Sequence, residues 1–186
     1  MWAAYCLAQH KEIQEKVYEE VVRLCPGSTR IGVEETEKME YLKAFLQEVL
    51  RMYPAAGFFT RTTRFTETID GVTIPAKTRI SLSPYLLQRS PQYWDDPETF
   101  LPERWINVSE SEANRRRFAF FPFSMGGRNC IGSRFATMEA HMIVAALVRA
   151  FRFQIAPSQA DTDFKLATVI TMRLKPSLKI ALEKRA

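Results

Sequence analysis

The ten residues from Phe123 to Gly132, Phe-Ser-Met-Gly-Gly-Arg-Asn-Cys-Ile-Gly, constrain this chain more than any other segment. They place Cys130 on a glycine-bent turn, two residues after Arg128 and directly before a helix predicted to begin near Ile131 or Gly132. Gly126 allows backbone angles that other residues avoid. The positive charge of Arg128 and the free N–H groups of a helix N-terminus both favour an anionic thiolate. The segment therefore predicts a turn that presents a single thiolate to a metal.

One thiolate in the turn narrows the choice of metal. A zinc or iron–sulfur site built from four thiolates needs more cysteines than the single Cys130 that the turn provides. A single axial thiolate points instead to haem iron. Phe123 would cover the back of such a site. An isolated Cys-x-Gly is more often a buried, inert cysteine beside a glycine turn, so the longer pattern has to decide.

The longer pattern, Phe-x-x-Gly-x-Arg-x-Cys-x-Gly, resembles the haem-ligand loop of the cytochrome P-450 family, the haem-thiolate monooxygenases, at every fixed position. The resemblance implies a mainly α fold with small antiparallel β-sheets, in the α+β class. Residues 1–186 would be the C-terminal, haem-ligand portion of a single catalytic domain whose N-terminal part is missing. The implied cofactor is heme b (iron protoporphyrin IX), with Cys130 as the ligand of its iron. The residues that would bind this cofactor are Arg61, Phe123, Gly126, Arg128, Cys130 and Gly132.

Two further motifs test the resemblance. Apolar residues between Thr36 and Tyr53 recur at the spacing of one buried helical face, and Glu48 and Arg51 lie three residues apart on this predicted helix. Such a pair alone is usually solvated. The family, however, places a Glu-x-x-Arg helix before a Pro-Glu-Arg-aromatic segment, which is found here at Pro102–Trp105. The resemblance implies that Glu48, Arg51 and Arg104 form a buried charge network that supports the segment beneath the haem.

Arg61 follows the loop at Pro54 in a predicted strand, ten residues before Gly71. Without context it would be an exposed strand arginine. The resemblance implies that Arg61 pairs with one haem propionate and that Arg128 does the same from the other side. A guanidinium suits this role because its fork geometry matches a carboxylate.

Periodicity and turn residues divide the rest of the chain into alternating elements. In the first half we predict a helix over Trp2–Leu24 that ends at Pro26-Gly27, a second helix that ends before Pro54, and an antiparallel sheet over Thr60–Ser83 with a tight turn at Asp70-Gly71. The second half is predicted to hold an irregular meander over residues 88–122, a helix over Phe135–Phe151, and a hairpin over Thr168–Leu182 with its turn near Pro176 and Ser177. The helix over Phe135–Phe151 is almost continuously apolar, and we expect it to be buried on most sides.

The composition fits a soluble, mixed fold. Hydrophobic residues make up 46% of the chain, yet no apolar run is as long as a membrane span and no signal peptide opens it. The chain has three cysteines, Cys6, Cys25 and Cys130, an odd number without the regular spacing of a disulfide framework. Disulfides are therefore not predicted, which suits a reducing compartment. The resemblance places the parent enzyme on the cytosolic face of the endoplasmic reticulum membrane, although this chain carries no anchor.

The net charge of +5 requires that an anionic partner be considered. The densest basic cluster, residues 115–117, lacks the interleaved aromatic residues and the helical register of a nucleic-acid face, so no nucleic-acid partner is predicted. The cluster comes just before the ligand loop, near the haem face at which this family receives electrons. The resemblance therefore favours an acidic, NADPH-dependent flavoprotein reductase as the partner.

Two apolar segments, Ala55–Phe59 and Leu166–Ile170, border the haem pocket by resemblance. They predict a hydrophobic small-molecule substrate, and the chain is similar in general character to eukaryotic members that hydroxylate fatty acids. Departures from the commonest family pattern are small. Lys77, Gln88 and Trp105 stand where glycine, histidine and phenylalanine are more frequent, and all three lie outside the ligand loop.

The length of 186 residues leaves three functions open. A complete catalytic domain of this family is more than twice as long, and its oxygen-binding helix, with an acid and alcohol pair, has no counterpart here. The first possibility is that the parent enzyme is a monooxygenase. The second is an isomerase or dehydratase of the same fold, which acts on peroxides without a reductase. The third is that the chain is a truncated, inactive product. The intact ligand loop disfavours the second, and the segment upstream of Trp2 would separate all three.

Overall fold

The computed structural model describes residues 1–27, 30–168 and 171–185. Within these ranges the α-helices are α1 (Trp2–Gln9), α2 (Lys11–Leu24), α3 (Val33–Glu37), α4 (Glu40–Met52), α5 (Pro84–Leu87), α6 (Glu110–Arg116) and α7 (Ser133–Ala150). Short 3-10 helices occupy Pro102–Trp105, Gly126–Arg128 and Pro157–Gln159. The strands are β1 (Phe59–Thr62), β2 (Glu67–Ile69), β3 (Val72–Ile74), β4 (Arg79–Leu82), β5 (Phe151–Ile155), β6 (Lys165–Thr168), β7 (Met172–Lys175) and β8 (Ile180–Lys184).

The described strands form two-stranded antiparallel ladders, β1 with β4, β2 with β3, β5 with β8 and β6 with β7. The predicted tight turn is confirmed, since Asp70 (φ +48°) and Gly71 (φ +79°) join β2 to β3 in the left-handed conformation that a two-residue hairpin turn requires. In the neighbouring ladder, Arg61 pairs with Ile80. The mainly α class with small antiparallel sheets is therefore confirmed.

The predicted helix over Trp2–Leu24 is wrong as one unit, because it breaks at His10 (φ −116°, ψ 79°) into α1 and α2. Gln14 compensates for the break. Its side-chain amide donates to the carbonyl of Leu7 at 2.8 Å and to the carbonyl of Phe153 at 3.0 Å, and it accepts from the Phe153 amide at 2.7 Å. A side chain from the next helix thus satisfies a carbonyl at the end of α1 and fastens both helices to β5.

The helix predicted over Thr36–Tyr53 is likewise divided, into α3 and α4. The carboxylate of Glu20, on α2, accepts hydrogen bonds from the backbone amides of Tyr41 at 2.9 Å and Leu42 at 2.8 Å. The first amides of a helix lack partners within the helix, so a buried carboxylate from a neighbouring helix can fix where α4 begins. Sequence spacing alone does not show such a remote cap.

The prediction that the helix over Phe135–Phe151 is buried on most sides is wrong. Helix α7 packs on α2, α3 and α4 along one face, where Val144, Ala145 and Val148 are buried. The other face is apolar but open among the described residues, with Phe135 64% and Ile143 49% exposed. An apolar pattern all round a helix shows that it can be buried, whereas the elements that surround it decide whether it is.

Two further predictions need correction. The meander over residues 88–122 contains a regular helix, α6, which Ser109 begins with a capping box to Glu112. The predicted hairpin over Thr168–Leu182 is wrong. Strand β7 pairs with the preceding strand β6, and β8 pairs with β5. Pro176 and Ser177 therefore connect strands of two different ladders. Val169 and Ile170 lie outside the described residues.

The core lies where α1, α2, α4, α7 and β5 meet. Its most buried members include Val17, Val21, Leu42, Phe45 and Val148, each with no exposed surface. This core supports two structures that matter for the site, the C-terminal end of α4 and the N-terminal end of α7. In the part of the chain that the structure describes, no helix combines the length and the apolar character needed to cross a membrane.

Candidate haem-binding site

The ligand loop bends as its glycines predict. Gly126 has φ +78°, in the region that glycine favours, and a 3-10 turn follows over Gly126–Arg128. The backbone amide of Cys130 donates to the carbonyl of Phe123 at 2.9 Å, which closes the loop. Phe123 is half-buried, whereas the Cys130 thiol is exposed. The loop therefore holds its cysteine outward, closed by a backbone hydrogen bond.

Helix α7 begins directly behind the cysteine. Gly132 is its N-cap and Ser133 its first residue, one to two residues after the predicted start near Ile131 or Gly132. The Ser133 amide bonds the carbonyl of Cys130 at 3.3 Å, and a β-carbon built on Gly132 would lie 3.9 Å from the Cys130 sulfur. The thiol thus lies against the N-terminal end of an 18-residue helix, where the free amides and the helix dipole favour an anion.

The structure brings Arg61 to this loop. Its Nη2 donates to the Ser124 hydroxyl at 2.9 Å and to the backbone carbonyl of Arg128 at 3.3 Å. The side chain of Arg128 is exposed. The Arg61 guanidinium, from a distant part of the sequence, therefore contacts the ligand loop at Ser124 and at the main chain of Arg128, two residues before the cysteine.

The surroundings of Cys130 fit a flat apolar cofactor with acidic side groups. A β-carbon added at Gly126 would meet no atom within 4 Å, so the space over the loop is open. Beside the thiol, Ile131 is fully exposed and Phe135 is 64% exposed, which gives an apolar shoulder. One thiol, an apolar surface and nearby arginine residues fit a haem that is held by an axial thiolate.

The predicted charge network is confirmed. Glu48 and Arg51 have no exposed side-chain surface, and the Glu48 carboxylate accepts from Arg51 at 2.8 Å through both oxygens and from the Nε of Arg104 at 3.0 Å. Two donors were missed from the sequence. They are the indole N–H of Trp105 at 2.9 Å and the backbone amide of Leu101 at 2.9 Å. The network fixes the segment before the ligand loop onto α4.

Comparison with known proteins decides the family. The family model described as Cytochrome P450 matches residues 1–181. This chain belongs to the cytochrome P450 family.

It is 35% identical to the probable cytochrome P450 4ac1 of Drosophila melanogaster over 96% of this chain and 34% of that protein. It is 34% identical to cytochrome P450 4V2 of Mus musculus over 99% of this chain and 34% of that protein, and 35% identical to cytochrome P450 3A6 of Oryctolagus cuniculus over 81% and 30%. The chain thus spans about a third of the length of these P450 relatives. Membership of the family implies a haem cofactor.

The two apolar segments that the P450 resemblance placed at the pocket lie together. Gly57 and Phe58 face Leu166, Thr168 and Met172 across a cavity of about 230 Å³. The backbone amide of Met172 donates to the carbonyl of Ala55 at 2.9 Å, which holds the edges in contact. Val169 and Ile170, the last two residues of the second segment, lie outside the described residues.

The basic run at residues 115–117 is not a uniform solvated cluster. Arg116 is buried and donates to the carbonyl of Arg104 at 2.7 Å, with its guanidinium 5.2 Å from the ring centre of Trp94. Arg115 pairs with Asp95 at 2.8 Å. Arg117 is the exposed member of the run. The sequence shows three equal charges, whereas packing assigns each a different neighbour.

Thiol alkylation tests this geometry before haem is added. Cys130 is exposed whereas Cys6 and Cys25 are buried, and burial raises the pKa of the Cys6 thiol. We expect iodoacetamide to label Cys130 in the folded chain and the other two cysteines only after unfolding, and haem to protect Cys130. Mass spectrometry of the peptides measures the labelling, with Cys130→Ser as the control. Equal labelling of Cys6 in the folded chain, or no protection by haem, would contradict the assignment.

Proposed function

We propose that this chain is the C-terminal, haem-ligand portion, residues 1–186, of a haem-thiolate monooxygenase. The observation that carries the proposal is the exposed thiol of Cys130, held by a closed loop at the N-terminal end of α7, in a chain of the cytochrome P450 family. The bound cofactor, heme b, would supply oxygen activation, and the thiolate would donate electron density that promotes cleavage of the O–O bond.

The chain's own residues would bind and orient this cofactor. Cys130 would bind the iron, and Gly126 and Gly132 would keep the approach to the thiol open. Arg61 and Arg128 would pair with the propionates, which is supported by the contact of Arg61 with the loop at 2.9 Å from Ser124. Phe123 lines a cavity of about 480 Å³ behind the loop and would shield the rear of the site. These residues position the cofactor and take no part in proton transfer.

The proposed reaction inserts one atom of O2 into a C–H bond and releases the other as water. Its two electrons come from NADPH through a flavoprotein reductase, and two protons complete the water. An acidic partner is supported by the net charge of +5 and by a surface groove of about 600 Å³ beside the first turn of α7, which is lined by Lys43 and Arg134 together with one acid, Glu37. The parent enzyme is proposed to lie on the cytosolic face of the endoplasmic reticulum membrane.

The proposed substrate is hydrophobic, fatty-acid-like or lipid-like. The cavity between Gly57, Phe58 and Leu166 supports this, because its walls offer mostly apolar surface. The test supplies the haem-loaded enzyme that contains this chain with reductase, NADPH and a panel of fatty acids. An oxygenated product that requires NADPH supports the proposal. Turnover of a lipid hydroperoxide without reductase or NADPH would favour an isomerase or dehydratase instead. If the enzyme showed neither activity, the third possibility, an inactive product, would be favoured.

The 186-residue chain expressed alone is expected not to sustain monooxygenation. The open apolar face of α7 leaves Phe135 and Ile143 in water, so the chain lacks an enclosed pocket on that side within the described residues. Without enclosure, water reaches the site and substrate is not held against it. The assay combines the purified chain with haem, reductase, NADPH and fatty acids, and free haem is the control. Product formed faster than with free haem would contradict this expectation.

A further inference from the structure

Gln88 is a buried polar side chain that the proposed chemistry does not use. It has no exposed surface, and its amide nitrogen donates to the carbonyls of Leu50 and Arg51, each at 3.0 Å. Both carbonyls lie in the last turn of α4, where helix carbonyls have no partner within the helix. Gln88 therefore caps the C-terminal end of the helix that carries the Glu48 network.

The oxygen of the same amide points to the segment that leads into the ligand loop. It accepts a hydrogen bond from the backbone amide of Phe121 at 3.0 Å. The carbonyl of Phe121 in turn accepts from the Ser124 amide at 3.0 Å, and the carbonyl of Phe123 accepts from the Cys130 amide at 2.9 Å. A short path of hydrogen bonds thus leads from the end of α4 through one side chain to the backbone of the cysteine.

The backbone of Gln88 is held from the opposite direction. Its carbonyl accepts from Nη1 of Arg51 at 2.8 Å, and Arg51 is bound through its other nitrogens to Glu48. Gln88 therefore contacts the charge network with its main chain and, with its side chain, contacts Phe121 in the segment that leads into the ligand loop. Both N–H groups of the side-chain amide have acceptors, so the amide is fixed in one orientation.

We propose that Gln88 is a positioning residue that sets the place of the Cys130 loop relative to α4. This inference rests on the proposed role of Cys130 as haem ligand. A merely structural Gln88 would change stability without changing the ligand loop. A positioning Gln88 changes the loop first, because Phe121 is buried and its amide donates to the Gln88 side chain, so that removal of this acceptor leaves a buried N–H group without its partner.

The chain offers a matched control in Gln14. Gln14 is also buried, and it also donates to two backbone carbonyls and accepts from one backbone amide, in this case that of Phe153. Its partners lie in α1 and β5, away from the ligand loop. Gln14→Met and Gln88→Met therefore each remove two bonds to backbone carbonyls and one bond from a backbone amide, at two different buried sites. Only Gln88→Met is expected to act on the loop.

The experiment compares these variants in the haem-loaded enzyme that contains this chain. Hydrogen–deuterium exchange of the peptide that contains Phe121 reports the loop, and the Soret band of the reduced, carbon monoxide-bound protein reports thiolate ligation. We expect Gln88→Met to speed exchange at Phe121 by about tenfold and to lose about half or more of the thiolate band. Gln14→Met is expected to lower the thermal midpoint by a similar amount with both loop signals unchanged.

Gln88→His provides a rescue. A neutral imidazole keeps one donor for an α4 carbonyl and one acceptor for the Phe121 amide, so most of the thiolate band is expected to return. If Gln88→Met leaves exchange at Phe121 and the Soret band unchanged, or if Gln14→Met alters both equally, the inference is wrong. Absence of a thiolate band in the unaltered protein would refute the haem assignment instead. Exchange at Phe121 would then still decide whether Gln88 holds the loop.

Discussion

Replacing Cys130 with serine is expected to abolish the red-shifted Soret band of the reduced, carbon monoxide-bound enzyme. A serine hydroxyl stays protonated at neutral pH and donates far less electron density than a thiolate, so iron loses its anionic axial ligand. The substitution replaces one sulfur atom by oxygen at an exposed position, and the loop keeps its backbone hydrogen bond from residue 130 to Phe123. The fold is therefore expected to survive while the spectrum changes completely.

The other two cysteines serve as controls for this experiment. Cys6 and Cys25 are buried in the core, and their replacement by alanine is expected to reduce stability while the thiolate band remains. Circular dichroism separates loss of fold from loss of ligation. A thiolate band that persists in Cys130→Ser would show that another group holds the iron.

Replacing Glu48 with alanine is expected to lower the free energy of unfolding by about 3 to 5 kcal/mol. The carboxylate is completely buried and accepts from Arg51, Arg104, Trp105 and the amide of Leu101. Its removal leaves the Arg51 guanidinium in the interior without its carboxylate. Since most domains are stable by only about 5 to 15 kcal/mol, little folded, haem-loaded protein is expected. Denaturant unfolding and the ratio of haem to protein measure the effect.

An exposed ion pair provides the comparison. Lys16 and Glu103 approach to 2.6 Å, but their side chains are 53% and 38% exposed. Lys16→Ala is expected to cost only about 0.2 to 1 kcal/mol, because water screens the pair. If Glu48→Ala were as mild as Lys16→Ala and bound haem normally, the network would not have the supporting role that we assign to it.

Local patterns in the sequence determined the parts of this structure that depend on near neighbours. The bend at Gly126, the turn at Asp70-Gly71 and the start of α7 at Ser133 follow from residues that lie within a few positions of each other. The network of Glu48, Arg51 and Arg104 was predicted in another way, from the order and spacing of motifs that resemble one family. From composition and periodicity alone, Glu48 and Arg51 would be an ordinary solvated ion pair.

Only the tertiary structure decided which surfaces are covered and which distant groups meet. The partner of β8 is β5, about thirty residues earlier, and not its neighbour β7, because the register of a strand depends on the surface that it covers. Arg116 turns inward onto Trp94, and one face of α7 stays open. Gln88 looks in the sequence like a small departure from a frequent histidine. Its role as a cap became visible only when α4 and Phe121 were brought within 3.0 Å of its amide, since hydrogen bonds between distant segments leave no periodic mark in a sequence.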